Sequence, residues 1–296
     1  MKELGKRIVF GLERRNLFNW MPDKMYLKLM FRAQMNRKLN LKKPITYNEK
    51  LQWLKLYNRN PEYTTYVDKY AVREYIKKTI GEEYLIPLLG VWDKPDDIDF
   101  NALPDKFVLK CNHNSGKGMC ICKDKADLDI EKVKSELREG LSQNYYKKGR
   151  EWPYKNVKPK IVAETYMEDN ETAELRDYKF FCFDGKAESI FIATDRQNKS
   201  EETKFDFFDM EFNFLPFTNG HPNAKTTPKK PLCFDEMRTL AEKLSKDIPH
   251  VRVDFYEVNG KVYFGEMTFY HWSGMVPFNP DEWDFKWGNM IKLPKV

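Results

Sequence analysis

Residues 251–268, VRVDFYEVNGKVYFGEMT, constrain the fold more than any other stretch. β-Branched and aromatic residues flank Asn259-Gly260, a dipeptide suited to a tight turn, so the segment reads as one β-hairpin. Its arms carry Asp254 and Glu266, and paired carboxylates can hold a magnesium ion against phosphates. Side chains alternate along a strand, so the loop length decides whether the two carboxylates share a face. A two-residue loop pairs Val258 with Lys261 and sets them on opposite faces, where one metal cannot reach both. A three-residue loop, Val258-Asn259-Gly260, pairs Glu257 with Lys261 instead. Arg252, Asp254, Phe264, Glu266 and Thr268 then share one face, and Val251, Val253, Phe255, Tyr263 and Met267 the other. Opposite charges facing each other at Glu257 and Lys261 favour this register. The expectation is an odd-length loop with Gly260 left-handed.

A second segment supplies what such a hairpin lacks. Phe107–Cys111 reads as a buried strand whose Lys110 opens into Asn112-His113-Asn114-Ser115-Gly116-Lys117-Gly118. Gly116 and Gly118 permit positive φ and close backbone approach, so successive N–H groups around Ser115 and Lys117 can face an anion. A lysine leaving a buried strand at that loop is placed to meet a phosphate. The loop is not a Walker A motif, which needs glycine where Cys111 stands and serine or threonine where Gly118 stands. His113 can contact a phosphate or substrate through either ring nitrogen, or be structural. Phosphate loop and carboxylate hairpin together point to ATP with Mg2+.

The net charge of +6 is segregated. Residues 1–43 hold twelve Lys or Arg against Glu3, Glu13 and Asp23, a local +9, which leaves −3 for the rest. This basic arm suits an anionic partner: a membrane surface, an acidic glycan or nucleic acid. Nucleic acid is the least favoured, because no zinc-finger, RRM-like or KH-like signature accompanies the charge. No apolar run approaches the ~18 residues a spanning helix needs, and the first apolar stretch is too short for a secretory signal. Five cysteines, an odd number lying mostly in strand-like sequence, read as thiols of a reducing cytosol. The expected location is the cytoplasm, with peripheral contact at the inner face of the membrane.

Apolar spacing predicts helices across residues 6–58, through Val67–Ile76, over Asp127–Leu141 with Asp129 as cap, and a last one at Phe234–Asp247. Strands are expected at Leu85–Val91, Phe107–Cys111, Met119–Cys122, Lys160–Tyr166, Asp177–Phe183, Glu188–Thr194 and Phe205–Phe208, with a hairpin turn at Asp184-Gly185. Tyr145–Pro159, rich in Lys, Gly, Tyr and Pro, reads as a mobile loop or linker. Helices mixed with antiparallel hairpins suggest an α+β architecture of two lobes.

The order of these segments resembles that of an ATP-grasp enzyme: a helix bearing Asp68-Lys69, then FVLKCNHNSGKGM, then IVAETYM (Ile161–Met167), then RVDFYEVNGKVYFGEMTF. The phrases NEKLQWLKLYNRNP, VDKYAVREYI, LRDYKFFCFDGK and GEMTFYHWSGM are similar to the TupA-like ATP-grasp family of bacterial capsule, teichuronopeptide and cell-surface polysaccharide genes. The resemblance implies two antiparallel sheet lobes clamping ATP. Residues 1–60 would form a basic helical region, 61–165 the lobe with the phosphate loop, and 166–296 the lobe with the metal hairpin. It further implies that Lys69 and Lys110 bind phosphates, that Glu164 and Met167 read adenine, and that Asp254 and Glu266 hold magnesium. Asp177 and Lys179 of the DYK motif would be further site residues, and Thr268 stands where many relatives carry Asn.

The function so implied is carboxylate–amine ligation through an acyl phosphate, with Lys110 and Arg252 supplying positive charge in phosphoryl transfer. The expected partners are an anionic or lipid-linked glycan and an amine or amino acid. The alternative is a glycosyltransferase using a nucleotide sugar, a label common in this family. Its metal-binding Asp-x-Asp would be Asp97-Ile98-Asp99 or Asp127-Leu128-Asp129, and helix capping explains the second. Phosphorylation of a sugar hydroxyl would need a base, for which His113 or His271 could be recruited.

Overall fold

The computed structural model describes residues 3–170, 175–195 and 202–295. Five helices come first: α1 (Glu3–Arg14), α2 (Asp23–Met35), α3 (Tyr47–Tyr57), α4 (Glu62–Val67) and α5 (Val72–Thr79). Strands β1 (Leu88–Trp92), β2 (Phe107–Cys111) and β3 (Met119–Cys122) precede α6 (Ile130–Leu141) and β4 (Ile161–Thr165). Then follow β5 (Asp177–Phe183), β6 (Lys186–Thr194), β7 (Lys204–Phe208), β8 (Phe214–Leu215), β9 (Thr218–Asn219) and α7 (Phe234–Leu244). The chain ends with β10 (His250–Val258), β11 (Lys261–Thr268), β12 (Phe278–Asn279) and α8 (Glu282–Met290).

Two antiparallel sheets carry the architecture, in the orders β1-β4-β2-β3 and β11-β10-β5-β6-β7-β8. The first has a small core of its own, in which Phe107, Leu109 and Cys111 pack with Val133 and Leu137 of α6. Asp129 caps that helix by accepting from the Lys132 N–H, as its sequence predicts. The second sheet is covered on both faces, so all seven residues of β5 are buried. Phe180 meets Phe234 of α7, while Phe181 and Phe183 meet Trp287 of α8. Helix α3 joins this core through Tyr47, Leu51 and Leu54, and a reciprocal Thr46–Glu49 capping box fixes its start.

The carboxylate hairpin departs from the expected register, yet arrives at the expected face. Its turn has two residues, with Val258 opposite Lys261 and with Asn259 (φ 51°) and Gly260 (φ 73°) both left-handed. Glu257 therefore faces Val262, and it accepts a 2.7 Å hydrogen bond from the Cys233 N–H. The register is corrected further along: Phe255 pairs with Phe264 but Asp254 with Glu266, so Gly265 is an extra residue, a β-bulge. The bulge, not an odd loop, makes Asp254 and Glu266 direct cross-strand partners. It also reverses two expectations, because Phe264 joins the buried core and Tyr263 lies opposite Tyr256.

An added Cβ at Gly265 would lie 3.0 Å from the Asp254 carbonyl oxygen and 3.2 Å from the Tyr256 ring. Gly265→Val should therefore destabilise the protein by roughly 1–3 kcal/mol. A urea titration with an unchanged midpoint would show that the bulge accepts a side chain.

Three further expectations are corrected. Val67–Ile76 is not one helix, because the chain breaks at Asp68 between α4 and α5. Tyr145–Pro159 is not a mobile linker but a packed strap of two short 3-10 turns, with Tyr146, Arg150, Trp152 and Pro153 buried. The helix at Phe234 is not the last, since α8 closes the core. In the basic arm, Met1 and Lys2 lie outside the described residues.

Candidate active site

Strand β2 alternates between the faces of its sheet. Phe107, Leu109 and Cys111 turn inward to α6, so Val108 and Lys110 line the groove between the two sheets. That groove is a cavity of about 300 Å³. Apolar walls come from Ile86, Val108, Ile121 and Met167, and its charged lining from Lys69, Lys110, Lys179, Asp177, Glu164 and Glu266. Ser115, Gly116 and Lys117 complete the lining, and Lys117 is ion-paired with Glu139.

Lys69 is fixed by the loop rather than by a helix. Its N–H donates to the Asn112 carbonyl at 3.2 Å and its Nζ to the Asn114 carbonyl at 2.7 Å. Asp68 anchors the same loop by accepting from Asn112 Nδ2 at 2.8 Å. Burial lowers the Lys69 pKa, opposed by the charge of Glu266. Lys110 is ion-paired with Glu164, which Arg73 also approaches at 3.5 Å.

Two expected site residues lie elsewhere. Gly118 is not part of the groove wall: a Cβ there would sit 2.6 Å from Cys111 Sγ and 2.9 Å from Gly140 Cα. Its role is to let the loop pack against α6. His113 is buried, with Nε2 3.1 Å from the Gln143 carbonyl, and burial lowers its pKa. It is held at the end of α6 and touches neither cavity of the site.

The hairpin face carries the densest charge. Arg252 donates through Nε and Nη2 to the two oxygens of Asp254, both at 2.7 Å. Its Nη2 also reaches Glu266 Oε1 at 3.2 Å and Thr268 Oγ1 at 3.0 Å. Lys179 is ion-paired with Asp254 and lies 3.4 Å from Asp177. Burial pushes the Lys179 pKa down and Asp254 pushes it back up. For Glu266 burial also disfavours charge, but Lys69, Lys179 and Arg252 outweigh it and hold the carboxyl at about 2.

The two carboxylates are unequal as metal ligands. Asp254 is 1% exposed and both its oxygens accept from buried cations. In this structure it orients Arg252 and Lys179. Glu266 lines the groove with its side chain 38% exposed, and no protein donor reaches its Oε2 among the described residues. Magnesium commonly uses one or two carboxylates plus substrate phosphates and water. Glu266 offers an open oxygen for that use.

A second cavity of about 440 Å³ shares Ser115, Lys179 and Glu266 with the first. It is lined by Tyr145, Tyr154, Tyr270, Phe191 and Trp272, with Arg252 and Glu151 also in its wall. Arg252 Nη1 donates to His271 Nδ1 at 2.8 Å, so the ring proton sits on Nε2, facing Asn219 Oδ1 at 3.1 Å. Burial and Arg252 drive the His271 pKa far down. It is a neutral spacer, not a base.

Glu151 is the functional candidate the sequence reading missed, because it lies in the supposed linker. Burial raises its pKa, opposed by Lys55 and by a hydrogen bond from Ser273. Lys55 is itself fully buried and donates to the Gly149 carbonyl and to the Ser273 carbonyl and hydroxyl, each at 2.7 Å. The available signal was Tyr145, Tyr146, Trp152 and Tyr154, an aromatic density no solvated linker needs.

The Asp-x-Asp candidates have local duties. Asp99 accepts from the Asn101 N–H and Asp129 caps α6. Neither motif lines either cavity of the site.

Residues 49–292 match the family described as TupA-like ATPgrasp. The chain belongs to that family. The ATP-grasp fold accounts for the two antiparallel sheets flanking a charged groove. Among solved structures, D-alanine–D-alanine ligase from Helicobacter pylori is 14% identical with a TM-score of 0.45, over 83% of this chain and 69% of that one. The Bacillus anthracis D-alanine–D-alanine ligase complexed with ATP is 16% identical with a TM-score of 0.41, over 69% of this chain. N5-carboxyaminoimidazole synthase from Aspergillus clavatus, with ADP and 5-aminoimidazole ribonucleotide, is 12% identical at 0.39, over 69% of this chain and 44% of that one. The TupA-like chain spans 54% of the length of the Bacillus anthracis ligase. No curated protein matches.

Proposed function

We propose that this protein is an ATP-dependent carboxylate–amine ligase acting on a cell-surface glycan or its precursor. The observation that carries the reading is the shared wall. A groove with an apolar side and four lysines meets a second, aromatic-lined cavity at Ser115, Lys179 and Glu266. Two reactants can thus meet where the charge is concentrated.

Adenine would lie against Ile86, Val108 and Met167, with Lys69, Lys110 and the Ser115–Lys117 backbone on the phosphates. Magnesium arriving with the nucleotide would offset phosphate charge, with Glu266 as its protein ligand. Arg252 and Lys179, oriented by Asp254, would stabilise charge on the carboxylate oxygen as it takes the γ-phosphoryl group. ADP leaves and an acyl phosphate remains. The amine nitrogen then attacks the acyl carbon, the carbon–oxygen bond to phosphate breaks, and the amine proton passes to Glu151.

The glycan, a uronic acid or an amino-acid-bearing polymer, rests on the family's setting among polysaccharide genes, and we place the reaction in the cytoplasm, where ATP is available. A sugar-hydroxyl kinase gains no support, because His113 lies outside both cavities and His271, though it lines the second, has Nδ1 engaged by Arg252.

Oxygen-18 in the carboxylate is the test. With labelled glucuronate-containing oligosaccharides and a mixture of amino acids, the label should appear in released phosphate, and ADP should accumulate only with both partners. Phosphate released without label while both carboxylate oxygens stay in the product, or release of UDP, would overturn ligation.

A further inference from the structure

We propose that the outward side of α1 and the turn after it seat the protein on an anionic bilayer surface. This does not depend on the ligase reading. Helix α1 has no buried residue. Its inner side, through Val9 and Phe10, packs against the cluster of Tyr26, Leu27, Met30 and Phe31 on α2. Its outer side leaves Leu4 and Ile8 in solvent, one helical turn apart. Leu17 and Trp20 in the turn after α1, and Met25 in the first turn of α2, are exposed as well, Trp20 to 76%.

Cations surround these side chains. Arg7, Arg14, Arg15, Lys24 and Lys28 are exposed, and none forms an ion pair among the described residues. Of the three nearby acids, Asp23 is taken by Arg59 at 2.9 Å, Glu13 accepts from the Tyr26 hydroxyl at 3.4 Å, and only Glu3 at the helix start is exposed. The mixture of charge and apolar surface decides the partner. An acidic glycan or a nucleic acid would engage the cations and leave five large apolar side chains in water. A bilayer interface takes both, with the cations at lipid phosphates and the apolar groups at the acyl boundary. Tryptophan favours that depth. No described helix is long and apolar enough to cross a membrane, so the contact is peripheral.

The same helix borders the substrate side of the molecule. Phe10, Glu13 and Arg14 line a cavity of about 410 Å³ that also reaches Tyr145, Glu151 and Trp272. Bilayer contact and the approach to Glu151 therefore share α1.

Flotation of the full chain with phosphatidylcholine vesicles, with and without about one third phosphatidylglycerol, tests this. The protein should float with the anionic vesicles alone, less so as salt rises. Leu4→Ser with Ile8→Ser should weaken binding about tenfold or more. Trp20→Ser should do so separately. Neither variant should change the melting temperature, because none of these side chains is buried. Equal flotation with both vesicle types, or variants that bind as the parent does, would overturn the proposal. Concentration-dependent self-association abolished by the variants would also overturn it and assign the face to a second copy. Binding to an acidic polysaccharide that survives Leu4→Ser/Ile8→Ser, with no flotation, would overturn it in favour of glycan.

Discussion

Glu266→Gln should reduce magnesium-dependent ADP release by about a thousandfold, the scale at which electrostatic stabilisation of phosphoryl transfer operates. The substitution keeps shape and removes charge. Glu266 is the carboxylate of the hairpin with an oxygen open to the groove, whereas Asp254 is enclosed by Arg252 and Lys179. Its low pKa means that no protonated fraction exists near neutral pH, so the charge is present throughout turnover. The depressed folded-state value also contributes stability above about 4.5 that is lost as pH falls toward 2. Stability at neutral pH should fall as well, because the attraction of Lys69, Lys179 and Arg252 for this charge goes with it, so the melting temperature is measured beside turnover. Affinity for ATP without magnesium should rise, since a negative charge facing the phosphates has gone. Calorimetric titrations with and without the metal separate these effects. Turnover within a few-fold of the parent, with magnesium still enhancing ATP binding, would move the metal to Asp254.

How much of this was legible in the sequence depended on how local the cause was. Lys110 was legible as a lysine leaving a buried strand, and that strand is buried because Phe107, Leu109 and Cys111 pack on α6. The buried run of β5 and the cap at Asp129 were equally readable. The hairpin was read with a correct outcome for a wrong cause. Asn259-Gly260 forms the two-residue turn its dipeptide favours, and the glycine inside β11 is the bulge signal that was passed over. Apolar spacing ran a helix through Asp68, but that break is made by contacts to Asn112, some forty residues downstream. The strap failed for a related reason. Arg150 lies over the Tyr26 ring at 4.4 Å and Lys55 reaches the Gly149 carbonyl, contacts that composition cannot announce.

The strap also carries the second large expectation. Glu151→Gln should lower amide formation by roughly a hundredfold to ten-thousandfold, the range for losing a positioned proton acceptor. ATP binding and acyl phosphate formation should survive, because Glu151 lines the second cavity and not the nucleotide groove. ADP release should then uncouple from product, with water or added hydroxylamine trapping the acyl phosphate. Burial lifts the Glu151 pKa, which suits a group that must accept a proton from an ammonium-forming amine. A structural explanation has to be separated, since the substitution leaves the Lys55 ammonium buried without its carboxylate. Glu151→Gln combined with Lys55→Met removes both charges, and Glu151→Asp keeps the acid with a shorter reach. If Glu151 is the acceptor, Glu151→Asp recovers part of the amide rate, and the double variant folds but stays uncoupled. In Glu151→Gln the amide rate should climb with pH until the amine is itself unprotonated. An amide rate restored in the double variant, or ADP release falling in step with product in Glu151→Gln, would reduce Glu151 to a packing partner of Lys55.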